Sequence, residues 1–186
     1  MRGKLELELP KRMELINHGT HIEIVRKWLN PVYILCTIFA IIWCLGFSTY
    51  ISYWSQTPLE VWLVDTDNQF FYLPGTVLTF LSIVGWLSRT HIAVSPAKIS
   101  IRHRPIPMWR SNVDIDASNL KQLYSKETKV YYGRRPTSYY GVYAITNDGG
   151  NKLVLGRLES EEQALYIEQQ IEKYLHIKDV SMKGEL

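Results

Sequence analysis

VYILCTIFAIIWCLGFSTYISY, residues 32–53, and FFYLPGTVLTFLSIVGWL, residues 70–87, carry no charged side chain. At 1.5 Å rise per residue, the first run is long enough to cross a hydrocarbon core of about 30 Å as a helix. The second is shorter and has Pro74 and Gly75 near its start, yet as a helix it can just cross. Between them, residues 54–69 include Glu60, Asp65 and Asp67 but no lysine or arginine. Arg26 and Lys27 precede the first run; Arg89 follows the second, with Lys98, Arg102 and Arg104 further on. Positive charge gathers on the cytoplasmic side of spans, so this pattern predicts a two-helix transmembrane hairpin with both termini cytoplasmic and an extracytoplasmic loop. The predicted location is a plasma (inner) membrane, multi-pass. The first run begins behind strand-like sequence, which reads against a cleaved signal peptide.

Aromatic residues mark the predicted interfaces. Trp28 and Tyr33 flank the way in, Tyr50, Tyr53 and Trp54 the way out, and Trp86 closes the return. Tryptophan and tyrosine favour headgroup level because one end of the ring is apolar and the other hydrogen-bonds. Trp28, Tyr53, Trp54 and Trp86 are therefore the expected membrane-interface anchors.

The bulk figures exclude more than they assign. The apolar share of 46% is ordinary, so the membrane signal lies in clustering. A net charge of +3 is too small to argue for nucleic acid. Cys36 and Cys44 both lie in the first run, about 12 Å apart along one helix, too far for a mutual disulfide. They read as small apolar residues.

Outside the two runs the pattern is mostly of strands. Residues 5–9 read LELEL, and residues 13–16 and 20–25 flank Asn17-His18-Gly19, a hairpin turn. Further short alternating runs fall at 90–94, 98–103, 120–125, 129–132, 139–146 and 152–155, separated by Ser95-Pro96-Ala97, by Pro105 and Pro107, and by Asn147-Asp148-Gly149-Gly150. Then the period changes. Ser160-Glu161-Glu162-Gln163 is a capping-box pattern in which serine and glutamine serve backbone donors at a helix start. Ala164, Ile167, Ile171, Tyr174 and Leu175 recur at helical spacing, predicting an amphipathic helix over 161–175. The upstream hairpin is too small to stand alone, so one sheet built from both flanks is expected. The domain reading is a discontinuous cytoplasmic domain of residues 1–29 and 89–177, helices at 32–53 and 70–87, a loop at 54–69 and a flexible tail at 178–186.

This order of elements resembles the pleckstrin-homology (PH) superfold. More closely, it is similar to a group of uncharacterised bacterial two-span membrane proteins with a PH-like cytoplasmic domain. The likeness rests on Ile24-Val25-Arg26-Lys27-Trp28 before the first span and on Leu87-Ser88-Arg89-Thr90-His91-Ile92-Ala93-Val94 after the second. It continues through residues 99–107 and ends on Gly156-Arg157-Leu158 and Glu162-Gln163-Ala164-Leu165-Tyr166-Ile167-Glu168. It covers residues 12–177 and implies an α+β membrane protein. That protein has a PH-like antiparallel β-barrel or bent sheet, a C-terminal amphipathic helix and an inserted transmembrane hairpin. It implies no activity, and fold alone supplies none.

Signatures of chemistry are sparse. His18, His21, His91, His103 and His176 are scattered without ligand spacing, so no metal is expected. Neither a nucleophile elbow nor a phosphate-cradling glycine loop occurs. Asp114 and Asp116 read as a solvated edge or turn. No enzyme, catalytic residue or cofactor is expected. What remains is a basic–aromatic cluster, Lys129, Tyr131, Arg134, Arg135 and Tyr139, around a predicted hairpin loop at 133–138. Beside an anionic leaflet each such cation can contribute roughly 1 kcal/mol.

These features predict a non-enzymatic, membrane-tethered binding or adaptor module. Its partners are membrane lipids through the two helices and a protein at that loop or a strand edge, with no nucleic acid. The alternative is a structural or assembly subunit docking through its helices, where Gly46, Gly75 and Gly85 permit close approach. Phosphoinositide-like recognition by analogy with eukaryotic PH domains is a weaker third reading, since an anchored domain needs no recruitment.

Overall fold

The computed structural model describes residues 7–54, 66–105, 112–132, 135–177 and 186. The chain divides into two compact units, one of Met1–Lys27 with Arg89–Leu186 and the other of Trp28–Ser88.

The first unit is α+β. Strands β1 (Met13–Asn17), β2 (Ile22–Lys27), β3 (Arg89–Val94), β4 (Lys98–Arg104) and β5 (Val113–Asp116) form a five-stranded antiparallel sheet in that order. Strands β6 (Leu120–Tyr132), β7 (Arg135–Thr146) and β8 (Asn151–Leu158) form a second, three-stranded one. Alternation drives both. Ile22 and Ile24, Ile92 and Val94, Ile99 and Ile101 turn inward, and meet Leu123, Val142, Ala144 and Leu158 from the other sheet in one core. Where a barrel or a single bent sheet was expected, no closed barrel is formed among the described residues, and two antiparallel sheets share the core.

Other boundaries moved for physical reasons. The runs expected at 120–125 and 129–132 are one strand, because Lys126–Lys129 keeps the ladder with β7 through Lys126↔Gly141 and Lys129↔Ser138. Residues 7–9 of the LELEL run lie outside any strand. Strand β5 was not foreseen. Ile115 is buried while Asp114 faces solvent and takes Arg102 of β4 at 2.6 Å, which holds the Asp114 carboxyl below its ordinary value. This is a charged edge of the kind that discourages strand addition.

Helix α3 (Glu161–Leu175) starts where expected. The Gln163 N–H donates to Ser160 Oγ at 3.3 Å. The capping box is only half made, since the Gln163 amide donates to the Lys11 carbonyl at 3.4 Å. At the other end Tyr174 Oη donates to the Thr20 carbonyl at 2.9 Å. The helix thus packs on β6–β8 and ties both ends of the β1 region to them. Its buried face holds Ala164, Ile167 and Ile171, and also Glu168 and Glu172, at 4% and 1% exposure.

On the outer face of the first sheet Glu23 accepts from His91 Nδ1 at 2.8 Å and from His18 Nε2 at 3.3 Å. The hydrogen bond from His91 is the largest effect and outweighs the opposing effect of burial; with the weaker contribution of His18 added, the carboxyl is held below the usual value near 4.5. A depressed acid contributes stability above its unfolded pKa and loses it as pH falls through the folded one. Glu23→Gln is therefore expected to lower the urea midpoint at about pH 7, with the gap to wild type closing below about pH 4. A gap of the same size at both ends of that range would contradict the assignment.

The second unit is a helical pair, α1 (Pro31–Trp54) and α2 (Thr66–Leu87). Asn30 caps α1, its Oδ1 accepting from the Tyr33 N–H at 3.2 Å, and Pro31 occupies the first turn, where its missing N–H costs nothing. Pro31–Tyr50 is long and apolar enough to cross a membrane, with mean hydropathy 2.1 and only 6% of its best window buried, unlike the core helix of a soluble protein. In α2 the apolar stretch is shorter, Leu73–Leu87, so among the described residues one helix and not two meets the length expected of a span. Polar Thr66, Asp67, Asn68 and Gln69 take up its first turn, and Pro74 interrupts its ladder.

Helix contact is made by glycine. A Cβ on Gly85 would stand 2.1 Å from Tyr33 Cγ, and one on Gly75 2.7 Å from Trp43 Cδ1. The Trp86 indole N–H donates to Thr37 Oγ1 at 3.0 Å, and the Trp28 N–H to the Ser88 carbonyl at 3.2 Å closes the base.

Candidate functional site: a tyrosine-lined groove

Directly opposed residues of an antiparallel pair share a face. Tyr124↔Tyr143, Lys126↔Gly141 and Thr128↔Tyr139 therefore place these side chains on the outer face of the second sheet, opposite to buried Leu123, Val142 and Ala144. There Thr128, Tyr139, Gly141 and Tyr143 line a groove of about 320 Å3 together with Val130, Tyr140, Leu153, Gly156 and Arg157. Tyr124 and Tyr143 stack at 5.3 Å, and Asn151 Nδ2 donates to Tyr124 Oη at 2.7 Å, which fixes one rim. Leu153 stays half exposed.

Two glycines make the floor. A Cβ on Gly141 would lie 3.2 Å from the Tyr143 ring, and one on Gly156 3.2 Å from Leu153. Opposite Gly141 the ladder is irregular, since Val142 faces Leu155 while Tyr140 faces Leu158. Gly156 and Arg157 thus stand against a single residue, a bulge that bends the strand and re-aims its side chains. Arg157 adopts the left-handed region, φ 55°, an uncommon conformation for a residue with a side chain. It is held there by buried Leu158 and by Arg26 Nη2, which donates to the Arg157 carbonyl at 3.3 Å. The result is an apolar, aromatic groove with one guanidinium at its end. Chemically it offers contact area and a fork for a carboxylate.

The structure divides the basic–aromatic cluster expected from sequence. Tyr139 lines the groove. Lys129, opposite Ser138, and Tyr131, opposite Pro136, belong to the other face of the hairpin. There Lys129 lies 3.7 Å from Glu127, and Tyr131 is 71% exposed. Arg134 lies outside the described residues, and Arg135 is described through its backbone alone, as are Tyr53 and Trp54 among the expected interface anchors. Trp86 is exposed on its ring but spends its N–H on Thr37. Among the described residues no group of three or more His, Cys, Asp or Glu side chains is arranged to hold a metal. Sequence reasoning missed Tyr143, Leu153 and Arg157. The one signal for them was Gly156 inside a strand pattern, a mark of a bulge or a close approach.

In comparisons with known proteins, no protein-family model matches this chain and no curated protein matches it.

Proposed function

We propose that this chain is a non-enzymatic binding module tethered to the cytoplasmic face of a plasma membrane by a two-span hairpin. Its PH-like β-domain docks an extended, carboxylate-bearing segment of a partner protein in the tyrosine-lined groove. The observation that carries this reading is the bulge that sets Arg157, in a left-handed conformation, at the end of an exposed aromatic surface. Backbone strain of that kind persists where the surrounding structure over-determines it, and it gathers at binding sites. The assembly-subunit alternative loses two of its contact points, because Gly75 and Gly85 are filled by Trp43 and Tyr33 of the same hairpin.

Arg157→Gly tests the proposal with opposite signs. Glycine adopts the left-handed region without strain, so the variant is expected to gain about 1 kcal/mol of stability. It is also expected to lose the partner that wild type retains in a mild-detergent pull-down, as Tyr139→Ala should. A partner retained by both variants rules the groove out.

A further inference from the structure

The terminal rung of the first sheet, nearest the chain connections to α1 and α2, is basic across its width. In the terminal rung the Lys27 N–H donates to the Arg12 carbonyl at 3.0 Å, Lys27 stands opposite Arg89, and Arg89 opposite Arg104. The next rung, Arg26 opposite Thr90 and Thr90 opposite His103, faces inward, where Thr90 and His103 are buried. On the outward face Lys27, Arg89 and Arg104 stand against one carboxylate, Glu14 on Lys27, while Arg12 pairs with Glu159.

Counter-charge is unevenly shared within this row. Arg26 is partly compensated by the Arg157 carbonyl. Arg89 and Arg104 are exposed and directly opposed; among the described residues neither guanidinium makes a hydrogen bond or a direct ion pair, and Arg89 is near enough to Glu14, the partner of Lys27, to help lower its carboxyl pKa. Opposed side chains of an antiparallel pair have Cβ atoms about 5 Å apart, and like charges in that position destabilise the sheet. An oxyanion between two guanidinium forks removes the repulsion and takes charge-assisted hydrogen bonds from both.

We infer that Arg89 and Arg104 form a binding site for a phosphate group on the outward face of the first sheet, reinforced by the field of Lys27 on the same rung. The phosphate is that of an anionic phospholipid headgroup or a free phosphate. In sequence Arg89 follows α2 by only two residues, so if α2 crosses a bilayer the pair stands near headgroup level. Only the lipid source rests on the membrane reading; the pair itself does not.

The test uses the full chain in maltoside micelles, which carry no phosphate, at constant ionic strength set with chloride. Thermal unfolding is followed during titration with inorganic phosphate and, separately, with phosphatidylglycerol doped into the micelles. Wild type is expected to show a saturable rise in Tm. Arg104→Gln should raise the half-saturating concentration by about tenfold or more, and Lys152→Gln, a cation on the far strand β8, should leave it unchanged. Arg104→Glu places a carboxylate opposite Arg89, so it should raise the starting Tm and abolish the response. A phosphatidylglycerol response that suppresses the phosphate response assigns the site to a headgroup; a phosphate response alone assigns it to free phosphate. No saturable response to either probe, or equal losses in Arg104→Gln and Lys152→Gln, overturns the site. A chain that binds phosphate but does not enter bilayers sinks the tether and leaves the site standing.

Discussion

Gly85→Leu is expected to take the helical hairpin apart. The first added carbon would stand 2.1 Å from the Tyr33 ring and 2.5 Å from Tyr33 Cβ, which rotation of the ring cannot relieve. Overpacking a fitted contact costs about 1–3 kcal/mol even where neighbours can shift, and leucine adds three more carbons. The approach that brings Trp86 to Thr37 would be lost with it. The check is a cycle in micelles: Gly85→Leu alone lowers the thermal midpoint of the hairpin, and Tyr33→Ala in the same chain recovers most of the loss. If Tyr33→Ala restores nothing, the two helices do not meet at that point. Gly75→Leu against Trp43 repeats the argument one contact along the same pair of helices.

Ile171→Ala should produce the largest loss in the β-domain. Its side chain is wholly buried in the core shared by the two sheets, and removing three carbons from such a site costs about 3 kcal/mol including the cavity left behind. For a domain of this size that corresponds to a drop on the order of 10 °C in Tm. The helix also carries the two hydrogen bonds that reach Lys11 and Thr20, so loosening it weakens the hold on β1. Lys173→Ala, on the exposed side of the same helix, is the control and should change little. A loss under about 1 kcal/mol for Ile171→Ala would mean that α3 is not a structural member of the core.

How far the sequence disclosed this arrangement depends on whether a feature is periodic. Alternation located β1–β4, most of β7 and half of β8, and the 3.6-residue period with Ser160 located α3. The same periodicity misjudged that helix's polar face: Glu168 falls one turn after Ala164 and Glu172 one turn after that, so both are carried inward by position although their chemistry argues outward. Strand β5 escaped because Val113-Asp114-Ile115-Asp116 reads as a charged loop until β4 supplies Arg102 as the partner of Asp114. The cluster of Lys129, Tyr131 and Tyr139 was plausible in one dimension and was divided by the two-residue period of the hairpin, since an odd register offset sends neighbours to opposite faces. The groove itself arises from a bulge, a two-against-one pairing that no single strand reveals. The arginine pair was invisible for a similar reason. Fifteen positions separate Arg89 from Arg104, and only the antiparallel register sets them side by side.

That the chain departs for the hairpin at Lys27 and comes back at Arg89 has a mechanical consequence. These two residues close one rung of the ladder between β2 and β3, at the same end of both strands. Tension transmitted through the hairpin therefore loads the sheet in unzipping geometry, where bonds break one at a time, and not in shear, where a whole strand must slip at once. The first rung to part is Lys27–Arg89 and the second Arg26–Thr90, so a lateral pull on the helices would act on the basic row before it reached the hydrophobic core. Bridging the two residues by a tight turn in place of the hairpin would remove that lever arm without changing any strand pairing.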